Sequence, residues 1–284
     1  MYLQKKKQIG ILIGLFLIAV VIWIFVFSEA KNNDFLKLIF FDVGQGDAIF
    51  IEMPDKKQVL IDGGPDLSIL EKIGRELPFY DRYIDLIILS HPEADHLNGL
   101  IEVVKRYNVG AIITTGIVRD TDQYREFTDI IKKKNIPVYI VQKGGEIDFA
   151  NNIKMDILHP FENLKGKILS DSNNSSIVAK LIYNNFETLF TGDIEKSIEN
   201  KLISAGLNLK SDILKVAHHG SKTSSSEEFL KAVNSIVNII QAGKDNRYGH
   251  PHQEVLERMA NVFVSGQVGD IKIFSDGEKF SVKN

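Results

Sequence analysis

Four side chains able to bind a divalent cation occur within the six-residue segment His91-Pro92-Glu93-Ala94-Asp95-His96. They are His91, Glu93, Asp95 and His96. The segment follows an apolar run at 84–90 that predicts a buried strand, and a helix is predicted to begin near Asn98. Imidazole and carboxylate ligands suit zinc, manganese or a related ion. The spacing therefore predicts a metal-binding loop between a strand and a helix.

Most of the other histidines are clustered. Four of them form two groups, which are His218 with His219, and His250 with His252. Asp193 lies in Thr191-Gly192-Asp193 after another predicted strand, and the glycine there permits a close approach of the backbone. His159 is isolated and is interpreted as a structural residue. Because side chains at strand ends sit on a rigid support, these groups are candidates for one shared site.

The elements that must position these residues alternate between strands and helices. Apolar runs at 35–43, 47–53 and 58–62 predict consecutive hairpin strands, and Gly44-Gln45-Gly46 predicts a tight turn between the first two. Further strands are predicted at 84–90, 110–114, 137–141, 153–158, 176–183, 186–190, 212–217 and 236–241. Helices are predicted at 67–77, 99–107, 122–134, 195–204 and 226–233. This mixture favours a layered α/β fold, with sheets inside and helices outside, over a β-barrel.

Seven motifs occur in a fixed order along residues 35–284, and together they resemble the metallo-β-lactamase superfamily. More narrowly, they resemble the exported hydrolase domain of the ComEC competence proteins. The motifs are Phe41-Asp42-Val43-Gly44-Gln45-Gly46-Asp47-Ala48, Ile61-Asp62-Gly63-Gly64, Ser90-His91-Pro92-Glu93-Ala94-Asp95-His96, Asn173-Asn174-Ser175-Ser176, Thr191-Gly192-Asp193, Lys215-Val216-Ala217-His218-His219-Gly220-Ser221 and Tyr248-Gly249-His250-Pro251. The resemblance implies an αββα sandwich with its site along one edge, between two sheets.

The chain departs from the superfamily's His-x-His-x-Asp-His motif at one position. The motif falls on His91, Glu93, Asp95 and His96, so a glutamate replaces the second histidine. The superfamily's usual third histidine is also missing, and Asn173, Asn174 and Ser176 occupy that neighbourhood. The resemblance therefore implies a weakened first metal position and an intact second one.

The same resemblance assigns roles to residues further along the chain. It implies that Asp95, His96, Asp193 and one later histidine hold a zinc or manganese ion, with Asp193 bridging if two ions bind. His218 is favoured as that later ligand, while His219 or His250 is a ligand or a proton carrier. Three residues are expected to support the ligands from behind, namely Asp62, Asn174 and Ser176.

The mechanism implied is metal-assisted hydrolysis, in which a bound ion acidifies water and polarises the oxygen under attack. Asp95 and Glu93 are the candidates for orienting the water, although either is equally a candidate ligand. Lys215 lies just before the His218-His219-Gly220 turn and is a candidate for neutralising a phosphate. An ordinary lysine at a strand end is the alternative for this position.

The expected function is that of a metal-dependent extracytoplasmic phosphodiesterase or nuclease. The expected substrate is DNA or another phosphodiester polymer, and no protein partner is indicated. One alternative is a hydrolase of cell-envelope phosphoesters. Another is a non-catalytic metal-binding or sensor module, an interpretation that the two missing histidines motivate.

The chain begins with an apolar segment, residues 8–27, that contains no charged residue. About 20 residues at 1.5 Å each match a hydrocarbon layer roughly 30 Å thick. Lys5, Lys6 and Lys7 precede the segment and predict a cytoplasmic amino end, with the remainder outside the cytoplasm. Residues 1–30 are therefore predicted to be a membrane anchor and residues 31–284 a hydrolase domain. A signal peptide cleaved after Ala30 is the alternative.

Composition excludes some kinds of site and limits how a polyanionic substrate can be bound. The 284 residues include no cysteine, which excludes disulfides, thiolate metal sites and a cysteine nucleophile. The formal charge is −3 for the whole chain and −5 without residues 1–30, which carry three lysines and one glutamate. Proteins that hold duplex DNA through many phosphate contacts are usually basic. A polyanionic substrate must therefore be bound locally, by the metal and a few cations.

Overall fold

The computed structural model describes residues 2–30, 35–169 and 171–284. Packing divides the chain into two compact units, and the second unit is Phe35–Asn284. Lys31, where the hydrolase domain is predicted to begin and before which the alternative cleavage is predicted, lies outside the described residues.

The first unit contains helix α1 (Tyr2–Ala30). Its stretch Gln4–Trp23, 20 residues long, is long enough and apolar enough to cross a membrane. No other described helix is both long enough and apolar enough to do so. Large apolar side chains such as Phe16 and Trp23 are exposed along it. The apolar N-terminal segment is therefore a helix of the length and composition of a membrane span.

The second unit is built from strands and helices in alternation. In chain order the described strands are β1 (Leu36–Phe40), β2 (Ile49–Glu52), β3 (Gln58–Ile61), β4 (Tyr83–Ile88), β5 (Asn108–Thr114), β6 (Val138–Ile140), β7 (Glu146–Asp148), β8 (Ile153–His159), β9 (Val178–Tyr183), β10 (Phe186–Phe190), β11 (Ile213–Lys215), β12 (Val237–Ile240), β13 (Val262–Val264), β14 (Ile271–Ser275) and β15 (Phe280–Lys283). The helices are α2 (Ser68–Glu76), α3 (Ala94–Arg106), α4 (Asp122–Lys134), α5 (Lys196–Ser204), α6 (Glu227–Val233), α7 (Gln253–Leu256) and α8 (Ser265–Val268). Short 3-10 turns cover Asn173–Ser175 and Ala217–Gly220.

The strands form two sheets. Among the described residues, the first sheet has the order β15-β14-β1-β2-β3-β4-β5-β6 and the second has the order β13-β12-β11-β10-β9-β8-β7. Strands β1, β2 and β3 pair antiparallel in sequence, which confirms the predicted hairpins. Strands β3 to β6 run parallel, as do β10 to β13. The carboxyl ends of these parallel strands lie at one edge of each sheet.

Three hydrophobic cores hold the layers together. The central core lies between the sheets and includes Leu38 of β1 and Leu181 of β9. Ile39, the next residue of β1, points to the opposite face and packs in a second core with α2, α3 and α4, because successive strand residues alternate in direction. A third core packs α5, α6 and α7 on the second sheet. This arrangement confirms the predicted αββα sandwich. The cores consist of residues between Leu36 and Ile273, so the second unit contains its own cores and is expected to fold without α1.

Hydrogen bonds join the two sheets at the edge that holds the predicted site. The Ile177 N–H, just before β9, donates to the Ser90 carbonyl after β4 at 3.0 Å. The side-chain amide of Gln241, after β12, donates to the carbonyls of Phe41 at 3.0 Å and Ala48 at 2.9 Å. The end of β4 therefore faces the start of β9, and the end of β12 faces the connection between β1 and β2.

The predicted start of α3 near Asn98 is wrong, because the helix begins at Ala94. Glu93 is extended, with φ −83° and ψ 155°, and its carbonyl accepts from Leu97 N–H at 2.9 Å. The carboxylate of Asp95 in the first turn also favours a helix amino end at this point. Asp95 and His96 are therefore held on a helix, and only residues 91–93 remain as a loop.

Most other predicted elements agree with the structure within a few residues, and α4 agrees at both ends. The short β7 and the elements after β12 were not predicted from the sequence. The two strands β14 and β15 extend the first sheet beside β1.

Two glycines allow α3 to approach the segment after β3, and this contact generates a prediction. A methyl group added at Gly99 would lie 1.9 Å from the carbonyl oxygen of Gly63. We therefore expect Gly99→Ala to lower the free energy of unfolding of residues 35–284 by about 2 kcal/mol or more in urea denaturation.

The matched control is Gly74→Ala in α2, where an added methyl group meets nothing within 4 Å. Because alanine favours a helix over glycine, this variant should gain up to about 1 kcal/mol. Equal stabilities for the two variants would contradict the close packing of α3.

Candidate metal centre

Four residues from three parts of the chain form a compact group of ligand atoms. Asp95 and His96 come from the first turn of α3, Asp193 follows β10, and His219 follows β11; one ligand atom of each lies within 4.8 Å of the others. Oδ2 of Asp193 is 3.3 Å from His96 Nε2 and 3.1 Å from His219 Nε2. Oδ2 of Asp95 is 3.2 Å from His219 Nε2. The carboxyl ends of both sheets thus bring the four side chains to one point.

Unusual backbone conformations position part of this group. His218 and His219 have φ values of 50° and 54°, and Asp62, directly after β3, has a φ of 57°. Non-glycine residues adopt this left-handed region at a cost of about 1–3 kcal/mol, so the surrounding structure must compensate. Such strain concentrates at functional sites, and here His219 belongs to the group, Asp62 contacts His96, and His218 lines the adjoining cleft.

Asp62 fixes the orientation of His96. Its carboxylate accepts from His96 Nδ1 at 2.8 Å, from the Ser90 hydroxyl at 2.6 Å and from the Ser90 N–H at 2.8 Å. Burial raises the pKa of Asp62. Because Nδ1 of His96 is occupied by Asp62, Nε2 is the nitrogen that faces Asp193 and a cation.

Two residues that the sequence analysis missed fix the orientation of His219. Its Nδ1 donates to the Gln241 carbonyl at 2.8 Å and lies 3.3 Å from Asp47 Oδ1. Gln241 is the residue that also joins the two sheets. The available sequence signal for Asp47 was its place directly after the Gly44-Gln45-Gly46 turn. Gln241 had no such signal, because its role depends on the distant carbonyls that it contacts.

Lys215 lies behind the carboxylates and does not line the cleft. Its ammonium group forms an ion pair with Asp47, donates to the Gly192 carbonyl at 3.1 Å and is 3.5 Å from Asp193 Oδ1. The side chain is 1% exposed. Although burial alone raises the pKa of Asp47, the charges of Lys215 and His219 lower it overall. The geometry thus gives Lys215 a role in compensating buried carboxylates, and it does not bring the ammonium group to the predicted phosphate.

The charges of the group fit a divalent cation. Burial opposes ionisation, but the surrounding carboxylates, Asp193 first, raise the pKa values of His96 and His219 well above normal. Burial likewise opposes the ionisation of Asp193, but the histidine charges lower its pKa. Among the described residues, His219 Nε2 and Asp193 Oδ1 are buried atoms without a hydrogen-bond partner. Two imidazoles and two carboxylates with free ligand atoms suit zinc or manganese.

The structure places His91 and Glu93 outside this four-residue group. His91 is buried, its ring centroid is 4.2 Å from that of His96, and its Nε2 has no hydrogen-bond partner. Burial and the charge of His96 lower the pKa of His91 to about 3, so the imidazole is neutral. Glu93 turns toward Arg119, with Oε1 2.8 Å from Nη2, and accepts from the Ser172 hydroxyl.

His218 and His250 line the cleft above the group without joining it. His218 Nε2 is 3.4 Å from the side-chain amide of Asn173. The ring centroid of His250 is 6.3 Å from that of His219, and burial together with the charge of His219 lowers the pKa of His250 to about 4. Its Nδ1 has no hydrogen-bond partner. Both histidines therefore face the space above the four ligand residues.

Asn174 and Ser176 support neighbouring backbone. The Asn174 carbonyl oxygen accepts from Glu195 N–H at 3.0 Å, and the Ser176 hydroxyl accepts from Asp193 N–H at 3.0 Å. His159 is buried and donates through Nδ1 to the Ser176 carbonyl at 2.8 Å. Ser176 thereby positions the backbone of Asp193 directly.

The group opens on a cleft of about 370 Å³. Its walls carry four carboxylates and three histidines, which are Glu93, Asp95, Asp171, Asp193, His218, His219 and His250. No lysine or arginine is among the described residues that line it. The cleft is therefore strongly acidic unless a cation is bound.

Comparisons with known proteins agree with this fold. Residues 41–243 match the Metallo-beta-lactamase superfamily. ComE operon protein 3 of Bacillus subtilis (strain 168) is 31% identical over 234 residues, which are 76% of this chain and 29% of that protein. Competence protein ComA of Neisseria gonorrhoeae is 28% identical over 233 residues, covering 81% of this chain and 30% of that protein. The chain thus spans about three tenths of the length of these curated relatives.

A solved structure shows a similar fold. Igni18, a metallo hydrolase from the archaeon Ignicoccus hospitalis KIN4/I, superposes with a TM-score of 0.51 at 14% sequence identity. The superposition covers 88% of this chain and 99% of Igni18.

The contact between Asp62 and His96 generates a prediction about metal affinity. We expect Asp62→Asn to weaken zinc binding by about 10- to 100-fold, because the carboxylate that orients His96 and increases its basicity is lost. Competition with a chromophoric chelator measures the affinity. Asp156→Asn, on β8 beside Lys154, is the control and should bind zinc as the unmodified chain does. Equal affinities for both variants would contradict the role of Asp62.

Proposed function

Because the chain belongs to the metallo-beta-lactamase superfamily, we propose that it is a membrane-anchored, metal-dependent hydrolase of phosphodiester bonds. The observation that carries the proposal is the group formed by Asp95, His96, Asp193 and His219, which combines free ligand atoms with an open cleft. A divalent cation bound there supplies Lewis-acid polarisation and makes water more acidic. A folded core alone does not require such a concentration of buried charge.

The residues of the chain perform distinct tasks in this proposal. His96 and His219 present Nε2 to the cation, because Asp62 and the Gln241 carbonyl occupy their Nδ1 atoms. Asp193 contacts both imidazoles and provides the shared carboxylate.

Asp95 is proposed to orient the attacking water. Its side chain is 31% exposed and lines the cleft, whereas Asp193 is buried. Burial opposes ionisation, but the charges of His96 and His219 lower the pKa of Asp95, so the carboxylate remains ionised and accepts a hydrogen bond. The exposed position and the ionised state together suit this task.

The similarity to a curated competence protein favours DNA as the phosphodiester. The chain aligns with about three tenths of the length of this relative. A small cell-envelope phosphodiester is the second candidate, and the absence of lysine and arginine from the described cleft lining favours it. Both substrates require the same attack on phosphorus, so the same metal group serves either one.

The test is hydrolysis of bis-p-nitrophenyl phosphate and of single-stranded and duplex DNA, with Mn²⁺, Zn²⁺ or EDTA. We expect metal-dependent cleavage that falls by at least about 100-fold in Asp193→Asn and His219→Ala, since loss of an outer partner alone costs about 10- to 100-fold. Asp156→Asn should keep full activity. No turnover with any metal would reject the proposal, while cleavage of the small ester without DNA cleavage would favour the cell-envelope substrate.

We further propose that the hydrolase domain lies outside the cytoplasm, because Lys5, Lys6 and Lys7 precede the apolar span. The chain has no cysteine, so single cysteines report on its topology. In intact cells, we expect a membrane-impermeant maleimide to label Lys133→Cys, an exposed position in α4, but not Gln4→Cys. Labelling of Gln4→Cys together with protection of Lys133→Cys would contradict the proposal and indicate the opposite orientation.

A further inference from the structure

The cleft contains more negative charge than one divalent cation neutralises. Glu93, Asp95, Asp171 and Asp193 line it, and the described lining has no lysine or arginine. Lys215 is buried and committed to Asp47. The basic side chains that bind the phosphates of a strand must therefore lie at the margins of the cleft.

Arg119 lies at one margin. Its Nη2 is 2.8 Å from Oε1 of Glu93, which lines the cleft, and Nη1 donates to the Leu169 carbonyl at 3.5 Å. The side chain is 23% exposed. A guanidinium has five N–H donors, so these contacts leave donors for an anion.

Arg247 lies at another margin. Its Nη2 donates to the hydroxyl of Tyr248 at 2.7 Å, and its guanidinium carbon is 4.9 Å from the centre of that ring. Tyr248 lines the cleft, and 50% of its surface is exposed. No carboxylate among the described residues forms an ion pair with Arg247. The hydrogen bond to Tyr248 raises the pKa of Arg247 first, and the charge of Asp95 also raises it.

The strands that the two arginines follow lie on opposite sides of the metal ligands in the order of the sheets. Arg119 follows β5 of the first sheet, and Arg247 follows β12 of the second. The end of β12 faces the connection between β1 and β2, and the order β2-β3-β4-β5 separates this point from β5 by three strand spacings. At about 4.8 Å per spacing this is roughly 14 Å. A stacked strand rises about 3.4 Å per nucleotide, so the separation of these strand ends corresponds to about four nucleotide steps.

We propose that Arg119 and Arg247 bind the phosphates on either side of the scissile phosphodiester, so that the cleft accepts a nucleic-acid strand several nucleotides long. The inference rests on the proposed function and specifies its substrate as a polymer. Arginine suits this task because its planar fork matches phosphate oxygens. The exposed ring of Tyr248 beside Arg247 also offers a surface on which a base can stack.

Glu93 has a defined part in this arrangement. Its carboxylate lines the cleft and holds the guanidinium of Arg119 beside the cleft wall. A phosphate that binds Arg119 competes with Glu93 for the guanidinium. Neutralising Glu93 should therefore strengthen strand binding, and the gain should depend on Arg119.

The experiment measures binding of fluorescein-labelled oligothymidylates of 2, 4 and 12 nucleotides to the purified full-length chain by fluorescence anisotropy. EDTA is present, so no strand is cleaved. We expect affinity to rise from 4 to 12 nucleotides, because only the longer strand has enough phosphates to span about four nucleotide steps. Arg119→Gln and Arg247→Gln should each weaken binding of the 12-mer at least about fivefold and reduce the slope of log affinity against log salt by about 0.7.

Arg258→Gln is the matched control. Arg258 has a similar exposure of 19% and a similar pair with a glutamate, Glu254 at 3.1 Å. Glu254 does not line the metal cleft, whereas Glu93, the partner of Arg119, does. Its removal should leave the affinity and the salt slope unchanged. Glu93→Gln should strengthen binding in the unmodified chain and give little gain in the Arg119→Gln background.

The outcomes separate this inference from the proposed function. If the chain binds DNA through the two arginines but never cleaves it, the phosphate-binding roles of Arg119 and Arg247 are supported and the proposed nuclease activity is rejected. Cleavage of the 12-mer in Mn²⁺ with unchanged binding by Arg119→Gln and Arg247→Gln would overturn the inference and leave the hydrolase intact. An equal loss of affinity in Arg258→Gln would also overturn the inference, because the loss would then reflect the net charge of the protein and not the position of the arginine.

Discussion

Four aspartates converge between the two sheets, and their mutual repulsion is the constraint on which the site depends. They are Asp47, Asp62, Asp95 and Asp193, and all but Asp95 are buried. Carboxylates are kept ionised in a dry interior only by nearby cations or donors. Lys215, His96 and His219 supply these in the described residues, which explains why Lys215 is buried and why both histidine pKa values are raised. A divalent ion can replace the two histidine protons without adding a further charge to the site.

The two-sheet architecture makes this concentration of charge possible. Each sheet ends its parallel strands at the same edge, so loops from β3, β4, β10, β11 and β12 meet there. Gln241 meets two requirements in one residue, since its side chain joins the sheets while its carbonyl orients His219. The left-handed conformations of His218 and His219 are stable only because this frame is rigid. The positions of the ligand side chains and the stability of the fold therefore depend on the same contacts.

The departure at position 93 has a structural consequence. A histidine there would offer a neutral nitrogen, whereas the carboxylate of Glu93 attracts the guanidinium of Arg119. The structure thus exchanges a ligand position for an ion pair at the cleft wall. His91 remains buried beside His96 with a free nitrogen, so the first half of the superfamily motif is only partly assembled. The second half, with Asp95, His96, Asp193 and His219, is complete as a group.

Local sequence patterns predicted most elements up to β12, a layered α/β fold and the cluster of ligand types, while the family resemblance of the motifs implied the two-sheet sandwich. The period of apolar residues predicted α4 at both ends and the first three strands, because amphipathic burial repeats along a single segment. It failed for α3, where the helix begins four residues earlier than predicted. Only the tertiary structure decided which way Glu93 turns, that His219 and not His218 joins the group, and that Asp47 pairs with Lys215. These outcomes depend on side chains brought together from positions tens to hundreds of residues apart, and a local pattern carries no information about such contacts.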